Sequence, residues 1–102
     1  MASSEEYKNF IAEQFSGFAG ITCRPMMGEY IFYFKGKVFG GIYDNRFLVK
    51  GVKSAAELMP DSPLEIPYPG GKPMLLVENV DDADFLKNLV LAMYDELPKK
   101  AK

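Results

Sequence analysis

Whatever chemistry this chain performs has to be built without histidine. None occurs in its 102 residues, so Ser-His and Cys-His nucleophile systems and His-based metal sites are excluded. The single cysteine, Cys23, stands beside Arg24, whose charge would lower a thiol pKa. A lone cysteine near a strand is more simply a small apolar residue, and that reading is preferred. Asp81, Asp82 and Asp84 lack the Gly and the distal Glu of a calcium loop and stand where a helix begins, which makes them capping residues. Gly70-Gly71-Lys72 could cradle an anion, but Pro73 stands where a phosphate loop has Ser or Thr and no long helix follows, so a hairpin turn is the better reading. Glu29, Glu65 and Glu78 could serve acid and base roles only if two of them met, and nothing in the sequence brings them together. No catalytic, metal-binding or cofactor-binding residue is therefore expected.

The remaining chemistry is recognition. Arg24, Lys50 and Lys72 flank predicted strand ends and turns, and Tyr30, Tyr33, Tyr43 and Tyr68 interleave with them. A groove so lined could take a peptide, an anion or single-stranded nucleic acid. The simpler reading makes the tyrosines half-buried sheet residues and the lysines solubilising edge charges. A net charge of −2 gives no general attraction to phosphate backbones, so direct nucleic-acid binding is not expected.

These residues hang on a β-rich centre. Residues 30–34, YIFYF, are aromatic and β-branched; Lys35-Gly36-Lys37 interrupts the run, residues 38–43 resume it, and Asp44-Asn45 breaks it before Phe47-Leu48-Val49. This spacing predicts an antiparallel meander of three strands. Gly36 and Asp44-Asn45 suit turns that need positive φ, and Gly40-Gly41 inside a strand predicts a bulge or a close approach. Both faces of the first strand are apolar: Tyr30, Phe32 and Phe34 on one, Ile31 and Tyr33 on the other. Helices of the same chain can cover one face, and a partner must cover the other or leave it partly exposed.

Around the centre, Tyr7, Phe10, Ile11, Phe15 and Phe18 recur at helical spacing behind Ser3-Ser4, with Ser3 and Glu6 at capping-box distance. Ile21-Thr22-Cys23-Arg24 reads either as a short strand or as an extended lead-in halted by Pro25. Val52, Ala55, Leu58 and Met59 mark a short helix stopped by Pro60. Two further strands, residues 64–68 and 74–78, flank a turn at 69–73, and their prolines put part of this hairpin at a sheet edge. Phe85, Leu86, Leu89, Val90, Met93, Tyr94 and Leu97 form the stripe of a last helix ended by Pro98. The order α-β-β-β-α-β-β-α is α+β with a largely antiparallel sheet. Residues 1–102 are read as one domain, with 98–102 a solvated tail.

The 48% hydrophobic and 25% charged content is ordinary for a globular domain. One cysteine, no secretory leader and no apolar run of spanning length imply a soluble protein of the reducing cytoplasm.

The run Arg24-Pro25-Met26-Met27-Gly28, residues 30–34, Gly36-Lys37-Val38-Phe39, Ile42, Asp44-Asn45 and Phe47-Leu48-Val49-Lys50 resembles the N-terminal domain of the TfoX/Sxy family, bacterial regulators of competence. Pro67-Tyr68, Gly71-Lys72 and the last helix with Phe85 and Leu86 extend the likeness over nearly the whole chain. The family pattern before the first long strand reads Arg, any residue, Met-Phe-Gly-Gly; here Met27 replaces the Phe and Glu29 the second Gly. The resemblance implies a compact α+β domain like that of secretion chaperones, a sheet covered by helices, and no catalytic residues. Regulatory members commonly carry a second, helical domain after this one. The expected activity is non-enzymatic binding of another protein, in transcriptional regulation of DNA uptake, with homodimerisation as a second expectation. The expected contact surface comprises Arg24, Met27, Tyr30, Phe32, Tyr33, Lys50, Tyr68 and Lys72. The competing expectation is a small-ligand or nucleotide pocket around Arg24, Lys50, Tyr68 and Lys72.

Overall fold

A computed structural model describes residues 4–97. The elements are α1 (Glu5–Gln14), β1 (Ile21–Met26), β2 (Glu29–Phe34), β3 (Lys37–Tyr43), β4 (Arg46–Val49), α2 (Lys53–Leu58), β5 (Leu64–Glu65), β6 (Met74–Leu76) and α3 (Ala83–Met93), then a 3-10 turn at Tyr94–Glu96. The strands make one antiparallel sheet in the order β1-β2-β3-β4-β6-β5. The fold is therefore α+β as expected, and residues 21–24 are settled as a strand that runs on to Met26.

Turn chemistry fixes the meander. Its hairpins close through Met27-Gly28, Lys35-Gly36 and Asp44-Asn45, with φ of 51° and 87°, 51° and 85°, and 53° and 57°. Two successive left-handed residues make a type I′ turn, whose twist matches that of the strands it joins. The strands consequently pair Met26 with Glu29, Phe34 with Lys37 and Tyr43 with Arg46.

The predicted glycine bulge is present in β3. Phe32 faces Gly40 and Tyr33 faces Val38, which leaves Phe39 as the additional residue. A Cβ on Gly40 would run into the Leu48 carbonyl oxygen, and one on Gly41 into that of Tyr30 at 2.5 Å. Phe39 so placed meets Phe15, Phe32 and Phe47 edge-on, with ring centroids 6.0 to 6.4 Å away, an arrangement aromatic quadrupoles favour.

All three helices cover the same face of the sheet. Ile11 and Phe15, Ala55 and Met59, and Leu86, Leu89, Val90 and Met93 share one core with Phe32, Phe34, Phe39, Phe47 and Val49. The α1 stripe is narrower than its sequence suggests: Ile11 and Phe15 enter the core, while Phe10 is exposed and stacks on Tyr7 at 6.4 Å. Its cap is Ser4, whose Oγ accepts the Tyr7 N–H at 3.1 Å; Ser3, the predicted partner of Glu6, lies outside the described residues, as do Pro98 and the lysine tail. Asp82 caps α3 by accepting the Phe85 N–H at 3.0 Å, the role predicted for the acidic cluster. At the other end of α3, Lys37 Nζ donates to the Tyr94 carbonyl at 3.1 Å and sits 4.1 Å from the ring centre, a cation where the helix dipole wants one. The α2 N-terminus has no cap of its own. Glu96 supplies one by accepting the Ser54 N–H at 2.8 Å, and that bond draws its carboxyl below the usual range.

Candidate interaction surface

Among the described residues, no helix packs on the second face of the sheet. Ile31, Tyr43 and Leu48 form a separate small cluster there with Tyr33, Val38, Met74 and Leu76. It is covered in part by the segment 66–73, which doubles back between β5 and β6 and lays Tyr68 against Tyr43, ring centroids 5.9 Å apart. Pro69, Gly70 with φ 85°, and a Gly71 N–H donating to the Tyr68 carbonyl at 2.9 Å make a type II turn at the tip. This is the hairpin turn predicted for Gly70-Gly71-Lys72. Arg46 ties the segment down: Nη1 binds Glu65 Oε1 at 2.7 Å, Nη2 donates to the Ile66 carbonyl at 3.2 Å, and Nε to that of Tyr43 at 3.1 Å. The planar guanidinium suits such a three-way clamp.

Tyr68, more than half exposed, lines three adjoining clefts. One is an apolar trough of about 630 Å³ floored by Ile31, Tyr33, Val38 and Tyr43 and rimmed by Met26, Met27 and Glu29. Another, of about 670 Å³, holds Lys50 and Lys72. A smaller one of about 400 Å³ is bounded by Glu29, Asp44 and Arg46. Packing around Tyr43 pushes its phenol pKa up to about 12, chiefly by burial and then through Tyr68, Glu29 and Tyr33.

Of the residues expected at the contact surface, Met27, Tyr33 and Tyr68 border the trough, and Arg24 lies over the Tyr33 ring at 5.8 Å. Lys50 and Lys72 line the neighbouring cleft. Phe32 does not belong: it is fully buried under the helices. Tyr30 faces the same way, half-buried with Lys8 Nζ 5.6 Å from its ring centre. Both follow from the strand period of two, which sends residues 30 and 32 opposite to 31 and 33. Of the four residues of the competing expectation, Lys50, Tyr68 and Lys72 line one cleft, while Arg24 lies apart, over the Tyr33 ring on the far side of the trough.

Sequence reading passed over Met26, Val38 and Arg46 at this face. Val38 was legible from its parity with Tyr43 only once the bulge was known, and nothing local marks Arg46. Two of the three carboxylates considered for acid and base work have structural duties: Glu65 pairs with Arg46, and Glu29 accepts the Asp44 N–H at 3.2 and 3.3 Å; Glu78 is exposed. Cys23 packs against the main core on the helix side, and burial pushes its thiol up, against a weaker downward pull from Lys8. Among the described residues no group of three His, Cys, Asp or Glu could hold a metal ion, and no helix is long and apolar enough to cross a membrane.

No solved structure matches the chain. An uncharacterized 12.7 kDa protein from the trpE 5′ region of Spirochaeta aurantia is 30% identical over 107 residues, covering 100% of this chain and 93% of that one. The description of the TfoX N-terminal domain matches residues 13–95, from within α1 to the 3-10 turn. With the match spanning the whole sheet and α3, the chain belongs to the TfoX N-terminal domain family.

Proposed function

We propose that this chain is a non-catalytic domain that binds another protein through the helix-free face of its sheet, in the transcriptional regulation of DNA uptake with which TfoX/Sxy proteins are associated. One observation carries the binding: Met27, at the rim of the apolar trough, is 98% exposed with a φ of 51°. An unbranched apolar residue gains nothing there from the core, and the left-handed backbone favours Gly, Asn or Asp. Neither folding nor solubility accounts for it, whereas a flexible thioether at the edge of a docking trough suits recognition. The regulatory setting is supported by family membership alone.

Immobilised chain incubated with lysate of the native host tests the binding. Proteins retained by the parent and by Leu91→Asp, an exposed position on α3, should be lost from Met27→Asn and Tyr33→Asp. Identical retention by all four baits overturns the assignment to this face. Deleting the gene and measuring transcripts of DNA-uptake genes tests the setting, which unchanged transcripts under inducing conditions would refute.

A further inference from the structure

Three cations around the open face, Arg24, Lys50 and Lys72, have no recorded ion pair. Lys50 and Lys72 share their cleft with Val38, Tyr43, Tyr68 and Met74, and no acidic residue is among its walls. Arg24 lies on the opposite flank, over Tyr33. Among the described residues the recorded ion pair joins Arg46 to Glu65, and none of these three has one. Lys50 is moreover half-buried as a residue, which holds its stem against the cleft wall. Glu29, which rims the trough, and Asp44 line the smaller cleft with Arg46, where the Glu29 carboxylate accepts the Asp44 amide.

We propose that the face takes an extended segment of the partner that is apolar at its centre and acidic on its flanks. Its apolar side chains enter the trough between Tyr33, Val38 and Tyr68, and its carboxylates meet Arg24 on one side and Lys50 and Lys72 on the other. This rests on the protein-binding reading above and adds the chemistry of the partner. Charge complementarity selects the occupant: a basic segment would meet three cations. A second copy docked face to face about a two-fold axis would bring its own cationic flanks against them.

The test uses the isotope-labelled chain, followed by amide NMR, and two short synthetic peptides sharing a Leu-Phe-Leu centre, one flanked by glutamates and one by lysines. The acidic peptide should shift the amides of Tyr33, Val38, Lys50 and Lys72 and bind at least roughly tenfold more tightly than the basic one, a gap that narrows with added salt. In the double variant Lys50→Glu and Lys72→Glu, whose folding is read from the same spectra, the preference should invert. Equal affinities, no shift at these amides with either peptide, or no inversion overturns the proposal. If that happens while Tyr33→Asp still loses the retained lysate proteins, protein binding stands and the acidic partner alone falls. Self-association that Tyr33→Asp abolishes and the lysine reversals leave intact assigns the face to a second copy, and also overturns it.

Discussion

Met27 and Tyr43 occupy the same face and are held there at opposite terms. Met27 contributes no burial and holds a backbone conformation that costs a residue with Cβ about 1 kcal/mol. Asn tolerates that conformation better, so Met27→Asn should raise stability by about 0.5–1 kcal/mol, read as a higher denaturant midpoint at unchanged slope. The same variant should bind its partner more weakly, and a gain in both would remove the functional explanation for the methionine. Tyr43 is nearly buried, and its pKa of about 12 lies above the unfolded value near 10. The raised value means the folded state holds its proton longer. The associated stability is complete below pH 10 and disappears as pH climbs through about 12, a term on the order of 2 kcal/mol. Urea titrations across that window should show a shallower decline for Tyr43→Phe than for the parent. Parallel declines would place the alkaline sensitivity elsewhere, Tyr7 being the next phenol raised by burial.

At the scale of elements, what could be foreseen was what local chemistry decides. Lys35-Gly36 and Asp44-Asn45 announce their turns because few residues accept positive φ. Met27-Gly28 makes the same kind of turn with only its glycine to signal it. The strand β1 was ambiguous because its Pro25 argues against a ladder, and the objection lapses at an edge, where one side of the strand needs no partner. The open face could be inferred in kind, from aromatics on both sides of β2. Its membership could not be read, because parity along β3 depends on where the additional residue falls. That bulge is also where β3 is least replaceable. In Gly40→Ala the new methyl meets the Leu48 carbonyl oxygen, which is backbone and cannot rotate away. The variant should lose about 3 kcal/mol or fail to fold. Gly70→Ala, with open space around the Cβ but a φ of 85°, should cost only about 1 kcal/mol. Equal losses at the two sites would mean that the β4 backbone gives way to the new methyl and the collision does not set the cost at Gly40.

For the molecule as a whole, the question is how a sheet with two edges and one helix-free face directs its contacts. The β5 edge is only Leu64–Glu65, too short to template a ladder. At the other edge, the Lys35 N–H donates to the Gly20 carbonyl at 2.8 Å, continuing the pairing of Ile21 with Phe34. Antiparallel bonding recurs at every second residue, so residues 20, 22, 24 and 26 bond inward and 21, 23 and 25 face out. Pro25 thus removes the outward donor nearest the apolar trough, leaving Ile21 and Cys23 alone on that edge. Backbone pairing is thus discouraged at both edges, by shortness at β5 and by the missing donor at β1. Pro25→Val restores the donor and raises strand propensity without touching the core, since Pro25 is exposed. Light scattering should then show concentration-dependent assembly beyond that of the parent, growing edge to edge and insensitive to Tyr33→Asp. A Pro25→Val chain that behaves as the parent does would mean that twist or charge already guards β1, with the proline redundant.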